Sequence, residues 1–200
     1  MTNDIITKEI LEKDYDEEIK DNILTYSGVS FYPLNPNKDD IKIDDIAHAL
    51  SLMTRANGHF KHFYSVGQHS INCYKEAKNR NYSYRVQMGC LLHDASEAYL
   101  ADITRPVKKN MSKYFVWEDR LQKAIFEKIG LNELTDEEKV KVKSIDDSML
   151  YYEFVDLMGT KLFSEEPFIS MDHNFEFEGF DKVEDEFKFI YNELKGKILD

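Results

Sequence analysis

No stretch of this 200-residue chain approaches the roughly 18 consecutive apolar residues of a membrane-spanning helix, so no membrane partner is expected. Glycine (8) and proline (4) are scarce, which excludes collagen-like and low-complexity architectures. Two cysteines, Cys73 and Cys90, are too few for a disulfide framework. Both sit among apolar residues and read as buried free thiols in a reducing compartment. Cations are outnumbered: 26 Lys and Arg face 38 Asp and Glu, leaving a net charge of −12. Binding duplex nucleic acid requires clustered Lys and Arg to displace counterions, so that class of partner is disfavoured. A small phosphorylated ligand is not, because a metal ion and a few local cations suffice for it. The opening Met1-Thr2-Asn3-Asp4 is acidic and has no apolar run after it, unlike a secretion signal. The expected location is the cytoplasm.

What is present is globular: 42% hydrophobic and 32% charged residues. The length fits one domain, residues 1–200, with a core over about 43–155. No internal repeat is visible. Residues 8–24 read as a charged amphipathic helix through Ile10, Leu11, Ile19 and Ile23. Residues 27–40, with Gly28, Pro33 and Pro36, read as loop or extended chain. Asp44 and Asp45 are candidate caps for a helix through Ala47, Leu50 and Met53. Helical spacing recurs over 64–79, 83–100, 113–129, 135–159 and 181–197. Pro106 interrupts the series or begins an element, and Thr135 with Glu138 fits a capping box. Phe175, Phe177 and Phe180 suggest a short extended piece within 165–180. The fold class expected is all-α, a single-domain helical bundle with the N-terminal helix and C-terminal extension packed on the core.

One segment conflicts with its surroundings. Met88-Gly89-Cys90-Leu91-Leu92-His93-Asp94-Ala95-Ser96-Glu97-Ala98 reads as buried, yet it holds His, Asp and Glu. An unpaired buried carboxylate is very costly. A cation bound by His93 and Asp94 would compensate, with Glu97 one turn along. His69, on the preceding helix, is a third candidate ligand. Asp146 is a fourth. Val142, Ile145, Met149 and Tyr152 define the apolar face of its helix, and Asp146 borders that face about 80° from its centre. Asp147 points away. Two imidazoles and two carboxylates suit one divalent Mn, Fe, Co, Ni or Zn ion better than Ca, with positions left for water and phosphate.

With those residues in view, the chain resembles the HD superfamily of metal-dependent phosphohydrolases. The spacing of His69, His93-Asp94 and Asp146 is similar to its metal motif. The string His93-Asp94-Ala95-Ser96-Glu97, followed by Asp102-Ile103-Thr104-Arg105-Pro106-Val107-Lys108, resembles HD-domain 5′-deoxyribonucleotidases and phage-type HD deoxynucleotide phosphohydrolases. Tyr64-Ser65-Val66-Gly67-Gln68-His69-Ser70 resembles the phage-type members. The resemblance implies an HD-type bundle with His69, His93, Asp94 and Asp146 as metal ligands. Glu97 would orient or deprotonate the attacking water. Asp102 would assist as nucleophile positioner or leaving-group acid. Arg55 would grip the phosphate, Lys108 would do the same, and Gly58-His59 matches a pair found in phage-type relatives. One departure concerns Ala56, where the bacterial nucleotidases carry Trp beside the sugar; selectivity for deoxyribose does not follow from the match.

The implied activity is release of phosphate from a nucleoside 5′-monophosphate, deoxy or ribo. The enzymatic alternative is a deoxynucleoside triphosphate phosphohydrolase of dATPase type, which convergence of Arg55, His59, Lys61 and Lys108 would favour. A (p)ppGpp hydrolase fits less well, because Ala98 follows Glu97 where that group has Asp. A non-catalytic nucleotide sensor is the alternative of another class, although no ligand or Glu97 is lost. A protein-interaction adaptor would need a large apolar patch and no metal. The implied partners are a small nucleotide and further copies of the chain in a homodimer or higher homo-oligomer. Tyr114, Phe115 and Trp117 read as core or interface aromatics. His62 is a weaker site candidate, and His48 and His173 read as structural.

Overall fold

A computed structural model describes residues 21–199. The architecture is all-α. A minimal hairpin pairs β1 (Ile23–Leu24) antiparallel to β2 (Ser30–Phe31). The helices are α1 (Ile43–Leu52), α2 (Val66–Asn79), α3 (Tyr84–Leu92), α4 (Glu97–Leu100), α5 (Arg105–Lys108), α6 (Ser112–Lys128), α7 (Asp136–Met158) and α8 (Phe180–Leu199). Among the described residues no helix is long and apolar enough to cross a membrane.

The helix expected over 8–24 falls mostly on residues outside the described ones. Its last part is corrected: Ile23 belongs to β1. The chain must reverse at Gly28, in a left-handed conformation with φ +81°, to deliver Phe31 into the core. Asp44 and Asp45 are not caps of α1. They lie inside its first turn, and buried Asp45 accepts hydrogen bonds from the Ser27 backbone N–H at 2.6 Å and hydroxyl at 2.9 Å. Its carboxylate fastens the hairpin to α1.

α2 and α3 form the centre. A capping box starts α2, where the Ser65 hydroxyl accepts from the Gln68 N–H and the Gln68 side chain accepts from the Ser65 N–H. Most of its residues are buried, polar ones included, as in a helix surrounded by others. Two glycines set the spacing. A Cβ on Gly67 would lie 2.9 Å from Val183 of α8 and 3.3 Å from the backbone of Leu50 in α1. A Cβ on Gly89 would lie 2.8 Å from Leu134 and 3.0 Å from Val142. Helices α1, α8 and α7 therefore approach the central pair at backbone distance.

The long helix expected over 83–100 is broken after Leu92. In an unbroken helix the Ser96 N–H would donate to the Leu92 carbonyl. Instead Gln122 of α6 inserts its amide: Ser96 N–H donates to Gln122 Oε1 at 3.2 Å, and Gln122 Nε2 donates to the Leu92 carbonyl at 2.7 Å. The intervening chain closes on i−3 carbonyls, with Glu97 N–H donating to Asp94 O and Ala98 N–H to Ala95 O. Such tight turns eclipse residues three apart, which stacks Glu97 over Asp94.

The extended piece expected within 165–180 forms no strand. Residues 168–176 run as a strap along α2. Gln68, Asn72, Asn79 and Arg80 donate to the carbonyls of Glu176, Asn174, Ser170 and Phe168, at 3.0, 3.0, 2.8 and 2.7 Å. Glu76 accepts from the Ser170 N–H at 2.7 Å. Helix side chains at roughly four-residue spacing replace the backbone ladder of a neighbouring strand.

Candidate metal centre

Four side chains from three parts of the fold meet beside α2. His69 projects from its second turn. His93 and Asp94 sit in the break after α3, and Asp146 lies midway along α7. His69 is fully buried and the other three keep a narrow opening to solvent. His69 Nε2 lies 3.1 Å from His93 Nε2, 3.7 Å from Asp94 Oδ2 and 3.4 Å from Asp146 Oδ1. His93 Nε2 lies 3.2 Å from Asp94 Oδ2 and 3.7 Å from Asp146 Oδ1.

The outward nitrogens of both rings are already committed. His93 Nδ1 is 2.8 Å from the Cys90 carbonyl, which can only accept, so that nitrogen carries hydrogen. His69 Nδ1 donates to Glu153 Oε1 at 2.5 Å. Both Nε2 atoms consequently face each other across 3.1 Å, and two lone pairs at that distance repel. A positive charge, proton or metal ion, belongs between them. Donors about 2.1 Å from one ion stand about 3.0–3.4 Å apart in octahedral or tetrahedral arrangement, close to the separations here. Imidazoles oriented through Nδ1 by a carboxylate or a carbonyl are the usual supports of such a site. The four side chains fit a divalent ion.

Electrostatics divides the local carboxyls into two sets. Burial opposes ionisation of Asp94 and Asp146, but the histidines outweigh it and hold both well below the usual range. Burial also opposes protonation of His69 and His93, and there the surrounding carboxylates win, raising both. Glu97 goes the other way. Burial first, then the charges of Asp94 and Asp102, push it well up, and its Oε2 has no hydrogen-bond partner. Asp102 is raised as well, chiefly by burial. It follows Ala101, whose strained φ of +76° turns the chain sharply after α4, and the Ala101 carbonyl is tied to the Tyr114 hydroxyl at 2.8 Å.

Arg55 enters the cluster from the chain before α2, ahead of left-handed Ala56, Asn57 and Gly58. Its guanidinium donates to Asp94 Oδ2 at 3.4 Å and to Glu153 Oε2 at 3.2 Å, while its Nε is buried without a partner. Lys108 is engaged by Glu118 and lies 5.1 Å above the Tyr114 ring. His59 is exposed on the loop after Arg55. Lys61 is tied to Asp156 at 3.2 Å, ten residues or about 15 Å along α7 from Asp146. Lys61 therefore lies away from the cluster, whereas Arg55 and Lys108 both act on Glu97 and Asp102. Asp147 faces outward, as its phase on α7 suggests, and pairs with Arg105 and Lys143.

Sequence reasoning missed three participants. Glu153, fully buried, bridges His69 and Arg55, and its place seven residues after Asp146, two helical turns on, was the available signal. Arg105 and Lys143 both reach Asp146 Oδ2, at 3.3 and 3.0 Å, putting two exposed cations at the mouth.

No family model matches the chain. It is 42% identical over 109 residues to the uncharacterized protein YfdR of Escherichia coli, covering 54% of this chain and 58% of that protein. It is 38% identical over 111 residues to an uncharacterized protein of Rhodobacter capsulatus, covering 52% and 56% respectively. The chain thus spans less than two thirds of the length of either relative.

Proposed function

We propose that this chain is a metal-dependent phosphohydrolase of the HD type that removes phosphate from a small nucleotide, a nucleoside 5′-monophosphate in the first instance. The observation that carries the reading is the pair of Nε2 atoms 3.1 Å apart, each fixed by its own Nδ1 partner and flanked by Asp94 and Asp146. His69, His93, Asp94 and Asp146 would hold the ion. A bound divalent cation supplies Lewis acidity and neutralises phosphate charge.

The chain's own groups do the rest. Glu97, stacked over Asp94 with a free oxygen, is positioned to accept a proton from the attacking water. Asp102, with a raised affinity for protons, suits delivery of a proton to the leaving oxygen. Glu97, beside the ligand Asp94, ionises more readily once a cation's charge is there. Arg55 holds Asp94 and Glu153 in place and brings a buried positive charge close to where phosphoryl oxygens would gather. Attack in line at phosphorus needs no covalent phosphoenzyme.

A second reading, triphosphate hydrolysis, is favoured by Arg105 and Lys143. They are exposed, lie at the mouth beside Asp146, and suit phosphates beyond the first. Release of phosphate and polyphosphate from ribo- and deoxynucleoside mono- and triphosphates, with Mn, Co or Zn, with chelator, and with Asp94→Asn, tests both. Chelator-sensitive turnover that Asp94→Asn abolishes is expected, and the product identifies the substrate class. A folded protein without turnover on any of them would overturn the catalytic reading and put a non-catalytic nucleotide sensor in its place.

A further inference from the structure

Helix α6 sends three side chains at four-residue spacing, Tyr114, Glu118 and Gln122, to the segment that carries the reacting groups. The Tyr114 hydroxyl donates to the Ala101 carbonyl at 2.8 Å, just before Asp102, and Glu118 pairs with Lys108. Gln122 takes the break itself. Its Nε2 donates to the Leu92 carbonyl at 2.7 Å, and its Oε1 accepts from the Ser96 N–H at 3.2 Å. A carbonyl can only accept and an N–H can only donate, so the position calls for one side chain that does both. The Leu92 carbonyl also accepts from the Ala95 N–H at 3.1 Å, a three-residue closure that a continuous α-helix would replace with a bond from Ser96.

We propose that Gln122 is a positioning residue for hydrolysis, acting through Glu97 by keeping the helix open between Leu92 and Ser96. The inference rests on the phosphohydrolase reading and deepens it by naming what sets the proton acceptor against the metal ligands. In the tight turn, residues three apart stand over one another, as Glu97 stands over Asp94. In an α-helix three residues span about 300°, so closure of the break would carry Glu97 about 60° around the axis from Asp94. The ligands before Ser96 are held without Gln122: His93 Nδ1 by the Cys90 carbonyl, and Asp94 by Arg55. Glu97 is not tied in this way, and its Oε2 is buried without a partner. Its direction depends on the backbone that Gln122 holds. Gln122 lies outside the ligand set and touches no ligand side chain, so its effect on the reaction runs through that backbone alone.

The test measures kcat, KM and manganese affinity for Gln122→Met in the full chain, alone and combined with Glu97→Gln, on the nucleotide that wild type turns over fastest. Methionine keeps the length of the side chain and removes the amide. Gln122→Met is expected to lower kcat about 10²-fold, as a displacement of about 1 Å at a reacting group does, with KM within about threefold and manganese affinity within about tenfold of wild type. In the Glu97→Gln background the same substitution should cost no more than about threefold, because the group it positions is already gone. Circular dichroism confirms that each variant is folded. Gln122→Asn, which keeps the amide on a shorter stem, replaces the methionine variant if that one does not fold, and the same pattern is expected of it. An unchanged kcat, an equal loss in both backgrounds, or a loss of manganese binding along with turnover would overturn the role of Gln122 and leave the phosphohydrolase reading standing. Absence of turnover in folded wild type would overturn both.

Discussion

Helix α2 carries two buried polar clusters two turns apart, and they are built to opposite ends. Around Glu76 the chain meets its own needs. Oε1 accepts from Arg80 Nε at 2.6 Å and from the Ser170 N–H at 2.7 Å, and Oε2 pairs with His173 Nε2 at 2.9 Å. Only His173 Nδ1 there is left without a partner. Around His69 the chain does not meet its needs. Two imidazole nitrogens face each other, Glu97 Oε2 and Arg55 Nε are orphaned, and two carboxylates converge on the same point. A polar cluster that closes on itself fastens structure; the one around His69 leaves buried polar atoms without partners. The same helix thus secures the 168–176 strap at one end and a candidate reaction centre at the other.

The largest separation between the clusters should come from Asp94→Asn. Turnover should fall by at least about 10²–10³-fold, as when a group that stabilises transition-state charge is removed. Rate measurements at saturating metal check this. Glu153→Gln should lower metal affinity or rate by about 10–100-fold, because Glu153 orients His69 without touching substrate. It should also destabilise the fold, because Arg55 loses a buried charged partner. Calorimetric metal titration and a melting curve separate the two effects.

Glu76→Gln should do the reverse: lose about 2 kcal/mol of stability on denaturant titration and leave turnover per folded molecule unchanged. The pH dependence has a definite sign. Burial raises the proton affinity of Glu76, but His173 and Arg80 outweigh it, so the folded value lies below the ordinary 4.5. Its contribution is therefore complete above about 4.5 and lost as pH falls through the lower folded value. Melting curves across that acid range should converge for wild type and Glu76→Gln. The smallest effect belongs to the mouth. Arg105→Ala should leave stability within about 0.5 kcal/mol and raise KM up to about fivefold, more for triphosphates than for monophosphates.

The parts of this account that were legible in the sequence share a property: they depend on local periodicity. The helical class, the capping box of α7 and the inward phase of Asp146 against Asp147 all follow from residues a few positions apart. Polar residues inside apolar helices marked His69, His93 and Asp94, since burial there demands compensation. What was hidden depends on distant partners. The break after Leu92 exists because Gln122, thirty residues on, takes the hydrogen bonds that would continue the helix. The strap over α2 has no alternating pattern because side chains, not a strand, satisfy its backbone. Arg55 was assigned to phosphate, and the structure gives it Asp94 and Glu153 as partners. Cys73 and Cys90 read as buried free thiols, and both are buried and free.

Isothermal titration of chelator-stripped protein with manganese or cobalt tests the contrast most directly. The account predicts one ion bound per chain in wild type and in Glu76→Gln, and none in Asp94→Asn at the same concentrations. Absence of binding in folded wild type, or binding that Asp94→Asn leaves intact, would contradict it.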